Sequence, residues 1–141
     1  MPTPNPLLAP VVALVAWSLV MWIWMYLTRI PAILAARMRL DPNAPRGEQM
    51  STLPASVRWK ADNYNHLMEQ PTIFYAIVLA LALLGDTSTV SVGLAWAYVV
   101  LRVVHSLVQA LGNIIQWRFA VFALSTLPLF ALTARAAMQL W

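Results

Sequence analysis

The sequence predicts an all-α integral membrane protein, a four-helix bundle that forms a single domain over residues 1–141. Three observations carry that expectation. Of the 141 residues, 61% are hydrophobic and only 10% are charged, against roughly 25% charged in soluble domains; the mean hydropathy is +0.69. Four continuous apolar runs are each long enough to cross the hydrocarbon core, which takes about 20 helical residues, and they leave no room for a separate soluble domain. The runs do not alternate apolar with polar residues, as the strands of a membrane β-barrel do.

The first span covers about residues 7–30. The prolines at 2, 4, 6 and 10 suit an extended lead-in and a helix start. MPTPNP has no basic segment and the apolar run after it is longer than a signal-peptide core, so this run is expected to stay as a helix. Trp17, Trp22, Trp24 and Tyr26 gather in its second half, the composition of an aromatic belt, although packing or lipid contact is the plainer reading of each ring. Arg29, at the exit, either snorkels to headgroups or turns inward to a ligand.

From Pro31 to about Val57 the chain is a polar connection carrying Arg37, Arg39 and Arg46, broken by Pro42, Pro45, Gly47 and Pro54. AILAARMRL either continues the first helix for a few turns or lies in the interface. The second span covers about residues 55–84. Its first turns are polar, and Pro71 should loosen a backbone bond to Leu67. In the turn LLGDTSTVS, Gly85 suits a helix C-cap and Asp86 to Thr89 offer N-cap oxygens. The third span, about residues 90–111, and the fourth, about 118–140, complete the set. Pro128 is expected to kink the fourth, with Ser125 helping to satisfy the freed carbonyl.

The net charge of +4 would suggest a nucleic-acid partner in a soluble protein, but here topology accounts for it and no nucleic acid is expected. Arg37, Arg39, Arg46, Arg58, Lys60 and Arg118 all fall on the side of the first and third connections, and only Arg135 falls on the other. By the positive-inside rule, both termini face outward and the long first connection is cytoplasmic. There is no cysteine, which excludes disulfides, protein thiolate nucleophiles and cysteine-ligated metals.

Two polar stretches interrupt this apolar chain. On a helix of about 100° per residue, Arg58, Asp62, Asn65 and Glu69 share one narrow face. Glu69 stands at the mouth of an apolar run, where a carboxylate either pairs within the protein or awaits a ligand. In the third span Arg102, His105, Gln109 and Asn113 also share a face. Such a set at membrane depth is a functional-site candidate. The competing account is internal glue, with Arg102 paired to Glu69 or Asp62 and the other groups hydrogen-bonded between helices. The two histidines and scattered carboxylates have no metal-ligand spacing. No span carries a charged ladder along its length, which leaves proton or ion conduction with little support.

Several arginines and one glutamate opening on the cytoplasm suit a small zwitterion with excess negative charge. Arginine binds carboxylates bidentately, and a cationic site favours a bound thiolate. Glutathione combines two carboxylates, an amine and a thiol, and it would bring the sulfur that this chain lacks.

ADNYNHLMEQPTIFY, from Ala61 to Tyr75, and RVVHSLVQALGNIIQWRF, from Arg102 to Phe119, resemble two stretches of the MAPEG family, the membrane-associated proteins in eicosanoid and glutathione metabolism. The first is similar to the family's polar entry to its second helix, with Glu followed by Pro. The second is similar to its Arg-x-x-His motif and the Arg that opens its fourth helix. The resemblance implies a homotrimer of four-helix subunits with glutathione held between neighbours as cosubstrate. It implies that Glu69 contacts the glutathione amine, that Arg102 and His105 line the pocket, and that Arg118 stabilises the thiolate as the catalytic residue. Arg58 would meet the glutathione carboxylates, and Asn65 and Gln109 fall within the same binding set.

The chain also departs from the family's eicosanoid-forming members. His66 stands where they carry Asn, and Gln109 and Phe122 stand where they carry Tyr. These differences argue against a leukotriene or prostaglandin synthase and fit a bacterial-type member in an inner membrane. The implied activity is glutathione transfer to, or glutathione-dependent reduction of, a small hydrophobic substrate dissolved in the lipid bilayer. That substrate would enter between the first helix of one subunit and the fourth of the next. The alternative is a non-enzymatic membrane scaffold that keeps the fold without this chemistry.

Overall fold

The computed structural model of the protein describes residues 4–141; Pro2, part of the expected lead-in, lies outside them. Among the described residues all regular structure is helical: α1 (Leu8–Ala35), α2 (Glu48–Ser51), α3 (Ala55–Leu67), α4 (Gln70–Leu83), α5 (Thr89–Leu111) and α6 (Ile115–Leu140). Four stretches are long and apolar enough to cross a membrane: α1, α3 with α4, α5 and α6.

The first helix runs past the expected Ile30 to Ala35. Pro31 does not end it, because a proline removes one backbone donor but leaves the following turns free to pair. At roughly 1.5 Å per residue the helix is about 42 Å long, more than the hydrocarbon core of about 30 Å, so one end projects beyond it. Asn5 fixes the other end. Its Oδ1 accepts from the Leu7 N–H at 2.9 Å, while its Nδ2 donates to the carbonyls of Ala82 and Asp86 at 3.2 and 3.0 Å. The start of α1 is thereby tied to the α4–α5 turn.

The expected second span is two helices. Pro71 lacks the N–H that would bond the Leu67 carbonyl, and the break falls at Met68 and Glu69, between α3 and α4. Glu69 is therefore not on the same continuous helical face as Arg58, Asp62 and Asn65, as simple periodicity had placed it. The α4–α5 turn matches its sequence signals. Gly85 takes a left-handed φ of 79° and the Ser88 side chain caps α5 by accepting from the Ser91 N–H. The last helix begins at Ile115, three residues before Arg118. Ser125 Oγ donates to the Phe122 carbonyl at 2.7 Å, so it does not reach the Leu124 carbonyl that Pro128 leaves free.

The centre of the bundle is α5. It packs most extensively on α6 and also touches α3 and α1. Its buried positions, from Ser91 through Ala95, Tyr98, Val99, Arg102, His105 and Ser106 to Gln109 and Ala110, recur at the helical period. Tyr98 is wholly buried and stacks on Phe74 of α4, with ring centroids 4.4 Å apart. Leu14, Met21, Val78, Leu81 and Leu132 fill the rest of the interior. Large apolar side chains such as Leu27, Leu83 and Phe130 point outward, 69–89% exposed, as a lipid-facing surface requires.

Candidate functional site

The two polar stretches meet around the α3–α4 break, but not as one surface. The break frees backbone carbonyls that a continuous helix would have used. Arg102 reaches across from α5 and donates from NH2 to the His66 carbonyl at 2.9 Å. Its guanidinium also lies 5.7 Å from the Phe122 ring centroid on α6, within cation–π range. The side chain is completely buried. Its carbonyl partner replaces the ion pair to Glu69 or Asp62 that the glue account expected. Gln70, just after the break, accepts from the Tyr98 hydroxyl at 3.3 Å and donates to Thr126 Oγ1 at 3.1 Å. The break is thus held by α5 and α6 together.

Above Arg102, a cavity of about 270 Å³ is lined by His66, His105, Ile115, Arg118, Phe119 and Phe122. It joins three nitrogen-bearing side chains to an apolar wall. Arg118 donates from NH1 to Asn113 Oδ1 at 2.7 Å. Asn113 has left the α5 helix, with a φ of 47°, so it orients Arg118 from the α5–α6 turn and does not continue the Arg102–His105–Gln109 face. The ring of His66 stands edge-on to that of His105, with centroids 5.7 Å apart. Glu69 Oε2 lies 3.3 Å from His66 Nδ1. Glu69 is itself 67% exposed and lies beside the cavity lining without forming part of it.

A second cleft of about 250 Å³ lies between the end of α1, α2 and α3, lined by Arg29, Arg58, Asp62 and Asn65 with Gly47, Met50, Ser51 and Ala61. It gathers Arg58 and Asn65, two of the expected binding residues, and it draws in Arg29. The expected site is therefore divided within the chain. Arg118 and His105 line one cleft, Arg58 and Asn65 line the other, and Arg102 and Gln109 are buried.

Several of these buried polar groups have no partner. Arg102 Nε and NH1, His105 Nδ1, Ser106 Oγ, Gln109 Oε1 and both amide atoms of Asn63 are buried without a hydrogen bond, as is Arg29 Nε. Of these, His105 and Arg29 line the two clefts; a buried unpaired polar group costs roughly 1–3 kcal/mol, so each marks a place for water, a ligand or a neighbouring chain. Sequence reasoning missed Asn63, which sits between the exposed Asp62 and the half-buried Tyr64 and off the periodic face. It treated His66 only as a departure from a pattern, although its spacing of three from Glu69 was a visible signal for an i,i+3 pair. Among the described residues, no group of three or more His, Asp or Glu is placed to hold a metal.

At the opposite end of the bundle a second polar cluster has a different character. Asp86 accepts from Ser91 Oγ at 2.6 Å, from the Ser88 N–H at 2.8 Å and from Gln139 Nε2 at 3.0 Å. Arg135 donates to Ser91 Oγ at 2.6 Å and Ser88 Oγ at 2.8 Å, and lies 3.7 Å from the Asp86 carboxylate. Burial opposes the ionised form of Asp86, but the hydrogen bonds from Ser91, Ser88 and Gln139 outweigh it and hold the carboxyl well below the ordinary carboxylate range.

The family model for the MAPEG family matches residues 7–138, nearly the whole chain. No curated protein and no solved structure gives a match.

Proposed function

The chain belongs to the MAPEG family, and from that premise we propose that this integral membrane protein is a glutathione-dependent transferase or peroxidase of the bacterial type. Its second substrate would be a hydrophobic electrophile dissolved in the bilayer. The observation that carries the reading is the cavity beside Arg118, where a guanidinium and two imidazoles face Phe119, Phe122 and Ile115. A cation beside the sulfur stabilises thiolate over thiol, and the apolar wall suits the electrophile that thiolate would attack.

The residues fit the cosubstrate in two parts. The Arg118 cleft offers cation and imidazole but no carboxylate in its lining. The Arg29–Arg58 cleft offers two guanidinium groups, a carboxylate and an amide, the complement of a peptide's carboxylates and amine. A homotrimer would let the cleft of one subunit complete that of its neighbour. In that assembly Arg58, Asn65 and Glu69 hold the peptide, Arg118 holds the sulfur, and Gln109 and His105 shape the floor between them. Arg102 supports the site from beneath by fixing the α3–α4 break. The basic first and third connections then face the cytoplasm, where glutathione is abundant, and both termini face outward.

Titration calorimetry of the purified protein in detergent, with Arg118→Ala alongside, tests this reading. The expected result is sub-millimolar glutathione binding, with the variant losing turnover about 10²–10³-fold while keeping most of its affinity. Retained turnover in Arg118→Ala removes that residue from the mechanism. A stable protein that does not bind glutathione moves the reading to a scaffold that keeps the fold without the cosubstrate. The Arg102 hydrogen bond to the His66 carbonyl favours a structural role for that one residue under either reading.

A further inference from the structure

His66 is the residue in the Arg118 cavity whose chemistry the family pattern leaves unassigned. It sits on the last turn of α3, one residue before its end, and its carbonyl is pinned by Arg102. Its ring lines the same cavity as Arg118. Glu69 occupies its Nδ1 side at 3.3 Å, which leaves Nε2 as the ring nitrogen free to exchange a proton. A histidine that lines a cavity with a carboxylate beside one ring nitrogen is placed to act as a general base through the other.

The charged and titratable groups placed around His66 come from α5, α6 and the α3–α4 break. Arg102 and His105 approach from α5, Arg118 from α6, and Glu69 from the chain just after α3. Three of these are cationic or can become so, and Glu69 supplies the negative charge that offsets them. His105 has no such support: it is 2% exposed, its Nδ1 is unpaired and no carboxylate accompanies it. Of the two imidazoles, His66 is the one with a carboxylate beside it.

We propose that His66 is the general base that deprotonates the bound thiol, with Glu69 and Arg102 as positioning residues. The inference rests on the glutathione reading and deepens it. The S–H bond breaks and its proton passes to His66 Nε2, while the electron pair stays on sulfur. The thiolate then attacks the electrophilic carbon and forms the C–S bond. In a substitution the leaving group departs with its bonding pair; in an addition the product takes its proton back from His66. A cysteine-type thiol ordinarily ionises near pH 8.5 and imidazole near 6.5, so in free solution this transfer is uphill by about two units. Arg118, which lines the same cavity, faces the thiolate product, and Glu69 lies beside the imidazolium at the cavity's edge.

The test counts protons. Thiolate is read from its ultraviolet absorbance as glutathione is added, and proton release from calorimetry in two buffers of different ionisation enthalpy. In the native protein above neutral pH, thiolate should form with little release to buffer, because His66 keeps the proton. In His66→Asn, and in His66→Gln as an independent variant, each thiolate should release about one proton, and turnover near pH 7 should fall about 10²-fold and recover as pH rises. Thiolate in the native protein with the same proton release in both variants overturns the role of His66 and leaves the glutathione reading standing. No thiolate signal in the native protein overturns the inference together with that reading.

Discussion

The two polar clusters lie at opposite ends of one bundle and obey opposite rules. Around Asp86, the carboxylate, two serines, Arg135 and Gln139 all have partners, and Asn5 ties the N-terminal lead-in to the same turn. Around Arg102, polar atoms are equally deep but many are unpaired. Both clusters have an arginine with a carboxylate nearby, so composition does not separate them. Hydrogen-bond closure does. A closed network fastens helices, whereas an open one keeps donors and acceptors available for something else.

The largest effect on stability should come from opening the closed cluster. Asp86→Ala leaves Arg135 without its carboxylate and Ser91 without its acceptor. We expect a loss of about 3 kcal/mol, the lower end for breaking a buried ion pair, because the Arg135 side chain keeps 28% of its surface exposed. Unfolding in detergent would measure it, and glutathione affinity should be unchanged. A change in affinity without loss of stability would reverse the roles of the two ends.

The same cluster makes a signed prediction in pH. The folded carboxyl of Asp86 lies below its ordinary value, which is about 3.9 in an unfolded chain. Its contribution is therefore fully present above that value and is lost as pH falls below about 4 toward the folded value. Asp86→Asn should be less stable at neutral pH and should flatten that acid limb. An unchanged acid limb in the variant would show that another group produces it.

Smaller effects sharpen the comparison. Ser91 gives and receives hydrogen bonds with charged partners at 2.6 Å, so Ser91→Ala should cost about 2 kcal/mol. Asn63 is as deeply buried but satisfies neither side-chain atom, so Asn63→Leu should be neutral or stabilising by roughly 1 kcal/mol. Equal losses from the two substitutions would erase the distinction between closed and open clusters.

How much of this was legible in the sequence depends on whether the cause is local. The four spans, the Gly85 turn and the Ser88 cap follow from residues within one or two turns of the feature they produce, although α1 runs on to Ala35 and α6 begins at Ile115. Pro71 announced a disturbed backbone, but periodicity still carried Glu69 onto the Arg58 face, because a helical wheel has no term for a break. The partner of Arg102 was illegible for the same reason: the carbonyl it binds is available only because the helix stops there. Asn113 lost its place on the α5 face when the helix ended at Leu111. The candidate residues stand out by type, but their division between two clefts depends on how α1, α2 and α3 pack, which single-chain periodicity does not encode.

The open cluster around Arg102 and Arg118 is proposed as a ligand site. Thermal unfolding of the detergent-purified protein, with and without glutathione, tests it most directly. A ligand that binds the folded state stabilises it by about 2.7 kcal/mol at a hundred times its dissociation constant, so glutathione should raise the unfolding midpoint progressively with concentration, and Arg118→Ala and wild type should differ only modestly in that rise. A midpoint that stays fixed through millimolar glutathione would contradict the account and leave the unpaired groups around Arg102 as sites for water or a neighbouring chain.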